Sequence, residues 1–442
     1  MKRYQEITLV ACRRSLVTVS LCMLALLTGQ ALAQTSNINE QPSISLPWVL
    51  EQTLLHNAQL KTYPYELRAN EAATIQAGIT PNPKFSMSVE NVLGTGNMQG
   101  VENAEVTLAL SQLIELGDKR QRRVDFAQAQ QQQQMRRYEQ QRLAIMSDAT
   151  ERYYQVLRLQ ALQAWGEKRL ALESKALNTI ELRAKAGAVP QADVSKLALR
   201  LHQTKAAQQQ LNGEAQVAKY RLAAMWSSEP TFNHVSGELS QLQQLPTLAS
   251  VLNAVESAPQ YLALLSVERL MYAKRRMEES KAQYDITLGM GVKGVDGFDD
   301  GALMFNFSMP IPLSNPNQGN ILAAKAKEDM ALEQQRLARG QIKLTLMAIH
   351  QAMLNNAKQA QRLKQQLVPM AQRLLNDSQL AYQAGQINVL QLVDAQSQLV
   401  SVERELIEAN TLAYMQLLEL ERITGQSMTA THISTSVALE NQ

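Results

Sequence analysis

The chain has 442 residues, 45% of them hydrophobic and 19% charged, with 43 basic against 40 acidic side chains. Both cysteines, Cys12 and Cys22, lie in the first 33 residues, so disulfides, thiolate metal sites and cysteine catalysis are excluded from the remainder. Those 33 residues hold four basic and one acidic side chain, which leaves 39 of each and gives no sign of a nucleic-acid partner.

The N-terminus carries Lys2, Arg3, Arg13 and Arg14, then an apolar run from Leu16 to Leu27, then Ala31-Leu32-Ala33. This pattern predicts a cleavable secretory signal peptide over 1–33, cut after Ala33, because the run is shorter than the ~20 residues of a membrane span. Leu21 precedes Cys22, where a lipoprotein signal places a small residue, so acylation there is not expected. The rest divides into two similar halves, 34–226 and 247–428, joined by a loop-rich segment 227–246 that contains Pro230, Gly237 and Pro246. Residues 429–442 have no period and read as a flexible tail.

Each half begins with a broken helix. The helical pattern from Pro47 to Gly78 is interrupted at Asn57-Ala58-Gln59, and that from Leu248 to Ala282 at Ala258-Pro259-Gln260. After Pro81-Asn82-Pro83 the period changes to two. Phe85, Met87 and Val89 alternate with polar residues, and beyond a loop with Gly94, Gly96 and Gly100 so do Val106, Leu108 and Leu110, which predicts a hairpin over 85–111. In the second half Tyr284, Ile286, Leu288, Met290 and Val292, then Leu303, Phe305, Phe307 and Met309, predict a hairpin over 284–309. Four strands with one apolar and one polar face fit a membrane β-barrel. Four cannot close one, since roughly eight is the practical minimum, so several chains must contribute. The competing reading is a pair of soluble hairpins packed on the helices.

Each hairpin leads into a helical stretch of about 67 residues, 119–186 and 318–384, a rod about 100 Å long at 1.5 Å per residue. Met146, Ala149, Tyr153 and Val156 mark the packed face of the first rod; Leu363, Leu367, Met370 and Leu374 mark that of the second, which Pro369 is expected to kink. Gln128 to Gln134 reads as a solvated helix face. Both rods end at a glycine turn, Ala186-Gly187 and Ala384-Gly385, and fold back onto a second helix. In the second copy Leu392, Ala395, Leu399, Val402, Leu406, Ala409, Ala413, Gln416, Leu420 and Ile423 follow a strict three-four alternation, a coiled-coil seam. Subtracting 198 gives Val194, Leu197, Leu201, Thr204, Gln208, Leu211, Ala215, Ala218, Leu222 and Met225. The chain is a tandem repeat of helix pairs, 119–225 and 318–423.

No pair of its five histidines has zinc-face spacing, the methionines are scattered, and no phosphate loop or Ser/His/Asp arrangement occurs, so neither cofactor, resident metal nor catalysis is expected. An exported chain of barrel strands and long rods reads as a conduit. The whole mature chain resembles the TolC family of outer-membrane efflux channels, in its order of elements, its Pro81-Asn82-Pro83 step and its Gly187 and Gly385 turns. Within it the chain is most similar to the CzcC-type heavy-metal channels. That likeness is carried by Asn82-Pro83 with Glu90-Asn91, by Ile114-Glu115-Leu116-Gly117-Asp118-Lys119-Arg120, and by Pro310-Ile311-Pro312-Leu313 with Asn317-Gln318-Gly319-Asn320-Ile321.

The resemblance implies a mainly α fold with a small β part, an α-barrel plus four transmembrane strands per chain, completed by a homotrimer with twelve strands and twelve helices. It implies an outer-membrane location surrounded by lipid, and partners in a periplasmic adaptor and an inner-membrane pump of the resistance-nodulation-division class. The expected role is passive conduction of heavy-metal cations, with drug efflux or type I secretion as the alternative cargo. A periplasmic coiled-coil scaffold is the reading from another class. Family channels close at acidic residues six and nine positions after the second glycine; here those positions are Gln391 and Asp394, of which only Asp394 matches, next to the seam residue Ala395. The same offsets in the first repeat give Asp193 and Lys196. The turns at Gly187, Ala188, Gly385 and Gln386 are the implied adaptor-docking tips.

Overall fold

A computed structural model describes residues 43–428, apart from 97, 98, 102, 241, 243, 296–299, 312 and 313. The expected signal peptide, the expected tail and Pro312-Leu313 lie outside the described residues.

Two short strands and a broken helix open the fold. Strand β1 (Ser43–Ile44) pairs in parallel with β4 (His234–Val235), and helices α1 (Leu46–His56) and α2 (Ala58–Ala77) are separated at Asn57. The Asn57 side chain accepts from Gln59 N and Leu60 N, starting α2 while it ends α1. The first hairpin is β2 (Lys84–Glu90) and β3 (Glu105–Ile114), followed by the rod α3 (Lys119–Lys185) and the seam helix α4 (Gln191–Ala223). The second repeat has α5 (Leu248–Asn253) and α6 (Pro259–Ser280), broken at Ala258 as the sequence predicts, then β5 (Ile286–Val295) and β6 (Asp300–Ser308). Its rod is α7 (Gln318–Arg362), a π-turn (Leu363–Leu367) and α8 (Val368–Gln383), and its seam helix is α9 (Val389–Thr424).

The four-stranded sheet and the two tiers of long helices are each four elements across, with α1, α5, β1 and β4 packed beside them. The sheet runs β2-β3-β5-β6, all antiparallel. Below it α2 packs on α3, α3 on α6 and α6 on α7; lower still α4 packs on α3, α3 on α9 and α9 on α8. First-repeat and second-repeat elements therefore meet in the middle, at β3–β5, α3–α6 and α3–α9. Each tier leaves one first-repeat and one second-repeat element at its two edges.

The seam positions fold as the alternation predicts. In the first copy all are buried but Leu211, which is half-buried, and Met225 falls just past the end of α4; in α9 Leu392, Ala395, Leu399, Ala409, Ala413 and Leu420 are buried and the other four are half-buried. The polar seam residue Gln208 is accommodated by Gly166, where a Cβ would stand 1.9 Å from the Gln208 side-chain oxygen. The linker is strapped to the layer: Gln160 exchanges two hydrogen bonds with the Val235 backbone, the His350 ring bonds Pro246 O at 2.9 Å, and Asn410 donates to Leu239 O.

The second rod departs from its predicted face. Leu363 is buried, but Leu367, Met370 and Leu374 are 38, 56 and 48% exposed, and the buried line continues at Ala371, Leu375 and Tyr382. The π-turn explains the shift: it adds one residue to a helical turn, so every position beyond it rotates by about 100°. Pro369 is the second residue of α8, one past Val368, and so sits next to a turn where the helical ladder is already altered.

Candidate functional site: the sheet face, the elbows and the tip

The strand register lines up whole rows of one chemistry. Phe85, Leu110, Met290 and Phe305 are successive partners across the four strands, and so are Met87, Leu108, Val292 and Leu303. All eight are exposed apolar side chains on one face. The alternate rows are small or polar apart from Met304: Ser86, Ala109, Gly291 and Met304, then Ser88, Thr107, Lys293 and Ala302. Lys293 pairs with Glu105 on that second face. A ten-residue strand is about 33 Å long and spans about 25 Å when tilted by some 40°, the height of an outer-membrane barrel's apolar band. Among the described residues no helix is long and apolar enough to cross a membrane.

The Ile114-to-Arg120 motif and the Asn317-to-Ile321 motif form the elbows where the rods begin, while Glu90-Asn91 lies at the opposite end of β2. Asp285 accepts from Leu116 N at 3.1 Å and pairs with Lys119 at 2.7 Å, while Arg123 grips Glu115 and donates to the Ala77 and Ile79 carbonyls. In the second repeat Asn317 takes a left-handed backbone (φ 62°) and donates to Glu278 O and Oε2. Burial pushes the Glu278 carboxyl up, but hydrogen bonds from Lys274, Lys281 and Asn317 outweigh it and hold it at about 2.

At the other end of the rods the two repeats turn alike. Gly187 (φ 69°) donates to Ala184 O and Ala188 to Arg183 O; Gly385 (φ 72°) donates to Tyr382 O and Gln386 to Ala381 O. Both are Schellman turns that need the left-handed glycine. One apolar cluster joins the starts of both seam helices to α8, through Val194, Leu197, Val389, Leu392, Leu375 and Tyr382. Arg183 lies over the Tyr382 ring at 4.1 Å.

The four sequence-predicted constriction residues are brought to this one end. Asp394 and Lys196 are exposed and Asp193 is half-buried. Gln391 is exposed too, but its side chain is turned back on its own helix: it accepts from Asn388 N while Asn388 Oδ1 accepts from Gln391 N, a capping box that starts α9. Gly187, Ala188, Gly385 and Gln386 are exposed at the turns.

Sequence reasoning missed the polar ties between repeats. Arg158 holds Glu408 with bonds of 2.8 and 2.7 Å, Trp165 Nε1 donates to Val400 O, and Arg200 bonds both Glu173 and Ser397, joining α3, α4 and α9. Glu173 is 8% exposed. Burial pushes its carboxyl up, yet the neighbouring Thr204 hydroxyl and the Arg169 and Arg200 guanidiniums prevail and hold it below the usual range. Contacts between residues tens to hundreds of positions apart leave no local pattern; the two polar seam positions Thr204 and Gln208 were the available hint. Among the described residues no three histidine or acidic side chains gather as a metal site.

The comparisons with known proteins agree with this architecture. The chain is 25% identical over 378 residues to the cobalt-zinc-cadmium resistance protein CzcC of Cupriavidus metallidurans, covering 84% of this chain and 87% of the relative. It is 21% identical to the nickel-cobalt-cadmium resistance protein NccC of Alcaligenes xylosoxydans xylosoxydans, over 70% of this chain and 69% of the relative. A membrane protein from Pseudomonas aeruginosa has the same fold, with a TM-score of 0.74 at 18% identity over 86% of this chain and 92% of that one. The family described as outer membrane efflux protein matches residues 49–228 and 287–426, more than two thirds of the chain, and the chain belongs to that family.

Proposed function

We propose that this outer membrane efflux protein is the channel of a tripartite resistance-nodulation-division system, closed as a homotrimer into a twelve-stranded barrel above a twelve-helix tunnel. The observation that carries the proposal is the open layer: a four-stranded sheet with an exposed apolar face and, among the described residues, both edges unpaired. In an alternating antiparallel sheet of four strands the edges β2 and β6 run in opposite directions, so β6 of one copy meets β2 of the next in antiparallel register and copies can close without an edge. Exposed apolar residues on the outer helices support the same closure, with Leu199, Val217 and Tyr220 on α4 at one side and Leu337, Leu344 and Met370 on α7 and α8 at the other. No catalytic step is assigned, and cargo passes without chemistry.

The test is direct. Purified from outer membranes, the protein is expected to run as a heat-modifiable trimer and to give stable conductance in planar bilayers. A soluble periplasmic monomer with no conductance would sink the reading and favour a coiled-coil scaffold.

Heavy-metal cations are the proposed cargo, because the two relatives above are named for cobalt, zinc, nickel and cadmium resistance. A deletion strain is expected to lose tolerance to such metals while keeping tolerance to a dye and a detergent. The reverse pattern would keep the channel and remove the metals, leaving drug efflux or type I secretion. The tips at Gly187, Ala188, Gly385 and Gln386 are assigned to the periplasmic adaptor. Asp394, with Gln391, Asp193 and Lys196 nearby, is assigned to the closing constriction, where three symmetry-related carboxylates repel one another and favour cations. Asp394→Ala is expected to raise conductance and weaken cation preference; unchanged single-channel behaviour would reject the assignment.

A further inference from the structure

Two clefts meet at the foot of the sheet. One, of about 640 Å³, lies on the exposed apolar face, lined by Leu110, Leu288, Met290, Phe305 and Phe307. The other, of about 660 Å³, lies beside the first elbow and includes the run from Glu115 to Gln121. Pro83, Gln112 and Ile114 line both, so the two form one groove with an apolar and a charged end.

Most charges at the polar end are already committed: Glu115 to Arg123, Lys119 to Asp285, and Arg122 to Asp125. Asp118 and Arg120 are exposed, point to no ion pair among the described residues, and line the same cleft. Among the described residues the groove therefore offers Asp118 as an uncommitted anion and Arg120 as an uncommitted cation beside an apolar trough. Its height fixes the surroundings: Ile114 ends β3 and Lys119 begins the rod, so the charged end stands where the barrel's apolar band gives way to water.

We propose that this groove binds one phospholipid with a zwitterionic amino-phosphate headgroup, its phosphate on Arg120, its ammonium on Asp118 and an acyl chain along Leu110, Leu288 and Phe307. The charge pattern selects this occupant. A lipid with an anionic headgroup satisfies Arg120 but leaves the Asp118 carboxylate facing like charge, and a detergent without charge uses neither group. The site is centred on the inner strands β3 and β5, on the face that closure of the barrel leaves to lipid, and it rests on the channel reading above.

Native mass spectrometry of the purified full chain tests the site, with phosphatidylethanolamine and phosphatidylglycerol of identical acyl chains added in equal amounts. The expected result is retention of up to one phosphatidylethanolamine per chain, at least about fivefold over phosphatidylglycerol. Arg120→Glu and Asp118→Lys are each expected to remove that preference, while the double exchange Asp118→Arg with Arg120→Asp restores part of it. Leu110→Trp, which fills the trough and leaves the charges alone, is expected to lower retention of both lipids. Equal retention of the two lipids by the unaltered protein, or a preference that survives Arg120→Glu, would overturn the proposal. Conductance and trimer mass are read on the same samples: a conducting trimer without lipid preference removes this site alone, whereas a chain that neither trimerises nor conducts removes the channel reading and the site with it.

Discussion

The two seam helices are copies in sequence and unequal in their surroundings. Helix α4 packs on α3, while α9 is held by α3, α7 and α8. The equivalent positions Leu199 and Ser397, 198 apart, make the point in single residues. Leu199 is 62% exposed on α4, whereas Ser397 is half-buried and receives Arg200 from the other repeat. A repeat that alternates inner and edge places must spend the same helix in two ways: α9 completes an interior within one chain, and α4 presents an apolar face that one chain leaves uncovered. The difference locates the surface that the proposed trimer assigns to a second copy.

The largest expected effect comes from charging that surface. Leu199→Glu places three carboxylates in the proposed trimer contact, and an unpaired buried charge costs about 3–5 kcal/mol each. Loss of the trimer with unchanged helix content by circular dichroism is the expected outcome. A stable trimer would mean that α4 faces solvent and that closure uses another edge.

Next come the two interiors. Leu222 and Leu420 are equivalent and both fully buried, so despite their different neighbours Leu222→Ala and Leu420→Ala are each expected to cost about 2–5 kcal/mol in denaturant unfolding. A cost below about 1 kcal/mol at Leu222 alone would show that α4 is only loosely packed, and the contrast drawn here would then be one of stability and not of partners.

A smaller effect is expected at the tie between repeats. Arg200→Ala leaves the buried Glu173 with one guanidinium, Arg169, beside the Thr204 hydroxyl and is expected to cost about 1–3 kcal/mol. The sign of its pH dependence follows from the lowered carboxyl. The unfolded glutamate titrates near about 4.3 and the folded one lower, so the tie contributes fully above the unfolded value and is lost as pH falls through that value toward the folded one. Unfolding midpoints measured from pH 7 to 3 should fall less steeply for Arg200→Ala than for the unaltered protein; parallel curves would remove Glu173 as the source.

What the sequence revealed and what it hid divide along the same line. Seams, hairpins and glycine turns are written in spacings of two, three and four residues, and the Schellman turns at Gly187 and Gly385 came out at the predicted positions. The π-turn did not, because Leu363 to Leu367 look like ordinary helix formers and one inserted residue changes the buried face only downstream. The ties at Arg158–Glu408 and Arg200–Ser397 span 250 and 197 positions and belong to the way the repeats meet. Gln391 shows a third case. Its Asn-x-x-Gln spacing is a legible capping signature, but its place six residues after a glycine drew it into the constriction instead.

That last residue provides the finest test of the two helix starts. Helix α4 begins at Pro190 with no side-chain cap, whereas α9 begins with the Asn388–Gln391 box. Glutamate completes the same box as glutamine, accepting from the backbone N–H of the cap residue. Gln391→Glu is therefore expected to change stability by less than about 0.5 kcal/mol while adding a carboxylate one turn from Asp394. If the start of α9 lines the axis, this substitution strengthens cation preference and lowers closed-state leak in planar bilayers, and Asn388→Ala, which costs about 1 kcal/mol of cap, does neither. Equal bilayer behaviour of Gln391→Glu and the unaltered chain would place that face of α9 away from the pore, and the constriction would then have to be sought among the residues that begin α4.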